Sequence, residues 1–380
     1  MPMQMASCEG PQVEGQVVLV LQGGGALGAY QLGVYQALHE AGVEPDWVIG
    51  TSIGAINGAI IAGNAFEDRL PRLREFWDKV RLAPSVAPMA GPWASHWYAN
   101  LATTIGGIPG FFMPRVVPWG GIYAPLGVTA ASWYRTEPLQ DTLSNLLDLE
   151  FLSQNKPRLT VGAVGVTSGE LEYFDSRGTP IGLEHVMASG ALPPAFPAVR
   201  VGGAPYWDGG IYSNTPIERV LDDAPRRDSL IFTVNVWHPQ GAEPSSIWEV
   251  LGRQKNIQYA SRSESHIARQ KQIHRLRHII RRLAHHLPEE QRAHPDFHDL
   301  HSHGCGTTMH VVRLLAPLLD GDDYTTDIDF TPGGIGARCD AGYADTLRML
   351  NAKPWLEAVD PLEGVVIHQD MPLSERLAES

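Results

Sequence analysis

Cysteine is scarce in this chain. Cys8, Cys305 and Cys339 are the three among 380 residues, too few and too scattered for a disulfide framework, and an odd number leaves at least one thiol free. A reducing, cytoplasmic setting is the expectation. Long apolar runs are missing as well: stretches such as Val17–Leu21 fall far short of the roughly 20 residues needed to cross a bilayer, so any membrane contact should be peripheral. Met1–Gly15 carries neither the basic n-region nor the apolar h-region of an export signal. Positive charge is in deficit, with 29 Lys and Arg against 42 Asp and Glu, a net −13; this argues against a nucleic-acid partner held by overall basic charge. What is present is a globular composition, 43% hydrophobic and 19% charged, long enough to bury a large core.

Val17-Val18-Leu19-Val20-Leu21 reads as a fully buried strand, followed at once by Gly23-Gly24-Gly25 and by helically spaced Tyr30, Val34 and Leu38. Trp47-Val48-Ile49 predicts a second strand, and Ile53 to Ile61 a helix rich in small residues. That alternation predicts an α/β fold with a mainly parallel central sheet layered between helices. Strands should resume near Leu159–Val166, Leu171–Phe174 and Leu230–Val236, after which Pro239, Gly241 and Pro244 mark a boundary. The expected division is a flexible N-terminus over 1–16, a main domain over 17–240 and a helical or mixed C-terminal extension over 241–380. Residues 84–138 are crowded with Pro, Gly and aromatics. Two readings of them stand side by side: an irregular segment packed on the core, or a lid or acyl-chain funnel lined by Phe112 and Trp119.

In the extension, residues 251–287 predict a helix with an apolar stripe at Ile273, Leu276, Ile280, Leu283 and Leu287. Residues 251–282 hold nine Lys or Arg and one acid, Glu264, whereas 283–380 hold six basic and seventeen acidic residues. The simplest account is a basic helix docked on acidic partners within the chain, with contact to anionic lipid or to a partner protein as the alternative.

Chemistry concentrates in Gly50-Thr51-Ser52-Ile53-Gly54, a G-x-S-x-G set between a strand and a helix. A serine at such a turn is held with its hydroxyl exposed, Gly50 and Gly54 let the flanking backbone close in, and the helix that follows points its positive end at the serine. A hydrolytic serine also needs donors aimed at the developing oxyanion, each worth about 3 kcal/mol of barrier. Gly23, Gly24 and Gly25 supply consecutive N–H groups at another helix start. Taken alone, Gly23, Gly25 and Gly28 also fit the dinucleotide pattern G-x-G-x-x-G, but the second strand ends in Gly50-Thr51-Ser52 and lacks the acidic residue a ribose would require. A base is needed too. His185 and His238 are the only histidines between residues 100 and 240, and neither sits in a motif, whereas Asp208-Gly209-Gly210 places a carboxylate at a tight turn beside Tyr206 and Trp207. His294, His298, His301, His303, Cys305 and His310 match no metal-ligand spacing, so no metal is expected there.

These pieces, in this order, resemble the patatin-like lipid acyl hydrolases. The likeness rests on Gly23-Gly24-Gly25-Ala26-Leu27-Gly28, Gly50-Thr51-Ser52-Ile53-Gly54, the small-residue segment Ala188-Ser189-Gly190-Ala191-Leu192-Pro193-Pro194-Ala195-Phe196-Pro197, and Asp208-Gly209-Gly210. It spans about residues 17–237. It implies the patatin-like three-layer fold and a Ser-Asp dyad without a catalytic histidine: Ser52 as nucleophile, Asp208 as base, and Gly23, Gly24 and Gly25 as oxyanion donors. The activity implied is cleavage of carboxylic esters of phospholipids or related acyl esters through an acyl-enzyme, with no cofactor. Leu27 stands where many members carry Lys or Arg, so no preference for anionic head groups is implied. Asp327-Ile328-Asp329-Phe330 and Gly342-Tyr343-Ala344-Asp345 resemble an extension fused to such domains in some bacterial proteins. A short-chain esterase, or one acting on hydroxyacid esters or thioesters, and a non-catalytic lipid-binding or scaffold protein, remain as rival readings.

Overall fold

Six consecutive buried residues open the described chain as strand β1 (Gln16–Leu21). A 3-10 turn, Gly25–Gly28, leads into α1 (Ala29–Glu40), then β2 (Trp47–Gly50), α2 (Ile53–Ala62) and α3 (Phe66–Val80). A ribbon of β3 (Met113–Pro114) and β4 (Tyr134–Arg135) precedes α4 (Glu137–Leu146), α5 (Leu149–Ser153), β5 (Arg158–Gly165) and β6 (Leu171–Asp175). Next come α6 (Leu183–Ser189), β7 (Val199–Val201), β8 (Ala204–Asp208), α7 (Glu218–Leu221) and β9 (Ser229–Asn235). The 40-residue α8 (Ile247–His286), the short α9 (Glu289–Arg292) and α10 (Pro295–Ser302), β10 (Met309–Leu315), α11 (Pro332–Ala352) and β11 (Val365–Gln369) follow. This computed structural model describes residues 15–82, 103, 105–116, 121–319 and 322–369; Trp119 lies outside them.

One sheet runs in the order β11-β10-β9-β1-β2-β5-β8-β7, with β6 also on β5. The strands from β11 to β5 are all parallel, and β6, β7 and β8 are paired antiparallel. Alternate residues of β1 point to opposite faces. Val17, Leu19 and Leu21 join the cluster built by α1, α2, α3 and α11, and Val18 and Val20 join Ile217, just before α7, Val220 and Leu221 of α7, and Ile267 of α8. The result is the α/β three-layer arrangement with a mainly parallel sheet. Strands from beyond residue 241 belong to it: β10 lies in register along β9, and β11 along β10.

Helix α8 buries a different face from the apolar stripe expected of it. Ala260, Ile267, Gln270, His274 and His278 are buried, whereas Leu276 and Leu283 stand 60% and 61% exposed. The polar members of the buried face are tolerated because each makes a hydrogen bond: Gln270 Nε2 donates to Asp222 at 2.6 Å, and His274 Nε2 and His278 Nε2 meet the carbonyls of Leu221 and Thr307, each at 2.9 Å; Gln270 Oε1 and His274 Nδ1 are buried without a partner among the described residues. Lys255 and Lys271 pair with Asp327 and Glu363, the internal acidic docking that charge asymmetry suggests. No helix among the described residues is long and apolar enough to cross a membrane.

The contact between α1 and α11 depends on backbones touching. A Cβ at Gly33 would stand 1.8 Å from the Cys339 carbonyl oxygen, far inside van der Waals contact. Gly33→Ala is therefore expected to destabilise the protein by about 2–3 kcal/mol through overpacking, lowering the melting temperature while the folded fraction keeps its specific activity. A melting curve within 1 °C of wild type would show that the two helices separate at little cost.

Candidate active site

The turn from β2 to α2 has two residues, Thr51 and Ser52, in which to reverse the chain. Ser52 takes φ 56° and ψ −126°, a positive φ that residues with a Cβ adopt at an energetic cost. Neighbours hold it there. Its N–H donates to Ser189, to the carbonyl at 3.1 Å and to Oγ at 3.2 Å, and Thr51 N–H donates to the Leu21 carbonyl at 3.2 Å. A Cβ at Gly54 would fall 2.2 Å from the Leu21 carbonyl oxygen, and one at Gly50 2.3 Å from that of Gly54; the two glycines of the motif are places where backbone meets backbone. The buried helix α2 starts at the next residue, Ile53, and directs its N-terminal dipole at the serine.

Strand pairing brings Asp208 to the same place. β5 is shared: β6 takes one edge, and the other is occupied first by β2, with Gly50 opposite Val161, and then by β8, with Asp208 opposite Ala163. The ends of β2 and β8 are thus two positions apart along one strand, roughly 7 Å. Asp208 is 1% exposed, and its Oδ1 accepts from Gly210 N–H at 2.7 Å as the chain enters the 3-10 turn Gly209–Ile211. Burial pushes the carboxyl up to about 7, opposed by donation from the Ser52 hydroxyl and from Gly210 N–H. Oδ2 is buried with no hydrogen-bond partner of ordinary geometry among the described residues.

The glycine loop lies alongside. Gly23 differs from expectation: its N–H donates to the Asn214 carbonyl at 3.2 Å, because the Asn214 side chain also clamps the Gly23 carbonyl at 3.0 Å. Gly24 and Gly25, at the start of the 3-10 turn, offer N–H groups with no backbone acceptor among the described residues. Gly23, Gly24, Gly25, Ser52 and Asp208 all border one cavity of about 290 Å³. Its apolar wall includes Phe111, Phe112, Leu192, Phe196 and Phe330, with Phe112 wedged between Tyr134 and Phe196 at ring separations of 4.7 and 5.3 Å. No histidine among the described residues lines it, and no three His, Cys, Asp or Glu side chains among those residues group to hold a metal ion. A neighbouring cavity of about 340 Å³ lies beyond Trp237, Lys255 and Asp327 and reaches neither Ser52 nor Asp208.

Sequence reasoning missed the site residues that arrive from afar. Lys255 and Tyr259 of α8, and Asp327, Ile328 and Phe330, border the serine's cavity. Asn214, six residues past Asp208, and Trp237, just past β9, both grip the Gly23 carbonyl. The run Ser213-Asn214-Thr215-Pro216 directly after the aspartate motif was the available signal for Asn214; nothing local pointed to α8.

A serine on a strained strand-to-helix turn, a buried carboxylate beside it and N–H groups at a glycine loop are the parts that an α/β serine hydrolase requires. A family model described as patatin-like phospholipase matches residues 19–221, more than half of the chain, and one described as patatin phospholipase matches residues 257–362. The chain belongs to the patatin-like phospholipase family. Among curated proteins it is 59% identical over 49 residues to lysophospholipase nte1 of Aspergillus terreus, covering 13% of this chain and 3% of that protein. It is 46% identical over 63 residues to the human patatin-like phospholipase domain-containing protein 6, covering 17% and 5%. The chain thus matches only a small part of the length of these relatives. Among solved structures, VipD from Legionella pneumophila aligns over 89% of this chain and 67% of its own at 16% identity with a TM-score of 0.39. The type III effector ExoU aligns over 90% and 54% at 17% identity with a TM-score of 0.29.

Proposed function

We propose that this protein is a lipid acyl hydrolase that cleaves carboxylic ester bonds through an acyl-enzyme on Ser52. Asp208 takes the hydroxyl proton as Ser52 Oγ attacks the acyl carbon, and returns it to the departing alcohol. The N–H groups of Gly24 and Gly25 receive the oxyanion, with Gly23 fixing the loop through its bonds to Asn214 and Trp237. The observation that carries the reading is the meeting of Ser52 and a buried Asp208 of raised pKa on the wall of an apolar cavity. No metal or organic cofactor enters the scheme. Peripheral contact with anionic membrane belongs to the same proposal, supported by exposed Leu276 and Leu283 beside Arg275 and Arg282 on α8.

Turnover of a p-nitrophenyl ester series from C2 to C16, beside a phospholipid panel, tests the substrate class. A lipid hydrolase prefers the longer chains, a short-chain esterase peaks at C2 to C4, and a scaffold turns over none. Phe112 sharpens the test. Phe112→Ala widens the apolar wall and is expected to shift the ratio of C12 to C4 turnover by about tenfold, the scale of one or two buried methylenes' transfer energy. Equal losses at every length, tracking a lower melting temperature, would make Phe112 a packing residue only.

A further inference from the structure

Helix α8 enters the serine's cavity from outside the segment 19–221 that the patatin-like model matches, and it brings two polar side chains. The Lys255 ammonium is spent: it donates to both carboxylate oxygens of Asp327 at 2.8 and 2.9 Å and to the Tyr324 carbonyl at 3.2 Å. Tyr259, one turn further on, is held differently. Its main-chain carbonyl accepts from Gln22 Nε2 at 3.2 Å and from Asn214 Nδ2 at 3.4 Å. Its ring leans on the Trp237 indole with centroids 5.1 Å apart, and that indole donates to the Gly23 carbonyl at 2.7 Å. Backbone and ring are therefore tied to the residue that adjoins Ser52, since a Cβ at Gly23 would stand 2.9 Å from Ser52 Cβ. The phenol has no hydrogen-bond partner within the chain among the described residues, and burial pushes it up to about 12, with Asp208 and Asp327 adding to the shift. At neutral pH it is a protonated donor within electrostatic reach of Asp208, with no free phenolate to serve as a base.

We propose that Tyr259 is a further catalytic residue of this site, its phenol O–H donating a hydrogen bond to the leaving-group oxygen of the scissile ester. The proposal rests on the reading of Ser52 and Asp208 given above. In acylation the bond from Ser52 Oγ to the acyl carbon forms, and the serine proton passes to Asp208. The bond from that carbon to the alcohol oxygen then breaks, leaving its electron pair on oxygen, and the Asp208 proton follows onto it. Tyr259 keeps its own proton throughout. Its donated hydrogen bond stabilises negative charge where it develops during bond breaking, beside the apolar wall of the cavity. The substrate class this implies is an ester of a poorly acidic alcohol, such as a glyceryl ester, because an alkoxide needs that help and a nitrophenolate, stable as an anion in water, does not.

The test compares two esters of one acyl chain, p-nitrophenyl octanoate and monooctanoyl glycerol, on the full chain and on Tyr259→Phe. The readout is kcat/KM, which reports steps up to acylation. A loss of about 30- to 100-fold on the glyceryl ester with less than about threefold on the p-nitrophenyl ester is expected, in line with the contribution of one transition-state donor. Tyr259→Leu serves the same comparison where Tyr259→Phe proves insoluble, since the ratio between esters carries the result. Equal losses on both esters, or none on the glyceryl ester, overturn the assignment of Tyr259. Ser52→Ala in parallel keeps the two readings apart: if it retains turnover the dyad reading fails, and if it is inactive while Tyr259→Phe shows no ester dependence, only the Tyr259 proposal does.

Discussion

Ser52→Ala is expected to lower ester turnover by at least about 10⁴-fold without unfolding the protein, and Asp208→Asn by about 10³-fold or more. The serine variant removes the proposed nucleophile, yet the strained turn survives because the Ser52 N–H, and not its hydroxyl, is what Ser189 holds. The aspartate variant is nearly isosteric and removes the proposed proton acceptor. Its other effects have definite signs. A base must be ionised, and with Asp208 raised to about 7, wild-type kcat/KM should fall about tenfold per pH unit below pH 7 and level off above it. Stability runs the other way. The folded state binds the Asp208 proton more tightly than the unfolded chain does, so the stability that this proton confers is present at low pH and is lost as pH rises through about 7. Asp208→Asn carries no such loss. It should melt above wild type at pH 8, with the gap closing below about pH 4, while remaining almost inactive. Near-normal turnover of Asp208→Asn beside an inactive histidine variant would overturn the dyad.

The parts of this site that share local sequence were legible beforehand. An unbroken apolar run followed by glycines gives β1 and its loop, because a strand buried on both faces has no polar alternation and a turn into a helix needs small residues. Ser52 and Asp208 stood out because their flanking glycines mark places where the backbone itself is in contact. Two kinds of feature stayed hidden. Gly23 looks like its two neighbours in sequence, and only the carbonyl of Asn214, nearly two hundred residues later, takes its N–H. The buried face of α8 is written in Gln270, His274 and His278, which hydropathy scores as surface; their hydrogen bonds to Asp222 and to the carbonyls of Leu221 and Thr307 make burial tolerable. With that face misread, the rotation of α8 was misread too, and Tyr259 could not be placed in the cavity.

Gly25 is where the two portions of the chain meet over the serine, and Gly25→Ala is expected to lower kcat/KM by about 10²- to 10³-fold, the scale of one lost oxyanion donor. Two physical effects combine there. Its φ of +56° lies in the left-handed region, costing an alanine about 1–2 kcal/mol. A Cβ would also stand 2.3 Å from the carbonyl oxygen of Asp327. That carbonyl cannot easily retreat, for the Asp327 side chain is fixed to Lys255 on α8, and two residues on Asp329 is paired with the buried Arg338. Relief must therefore come from the glycine loop, which turns its N–H groups away from the oxyanion position. Gly42→Ala separates strain from collision. Gly42 has φ +71° in the turn after α1, with nothing within 4 Å of where a Cβ would stand, so alanine there should cost a similar conformational energy and leave kcat/KM within about twofold of wild type. Kinetics and melting curves on both variants decide the matter. If Gly25→Ala loses no more activity than Gly42→Ala, the C-terminal portion does not buttress the loop, and the donors of the oxyanion must be sought elsewhere than at Gly24 and Gly25.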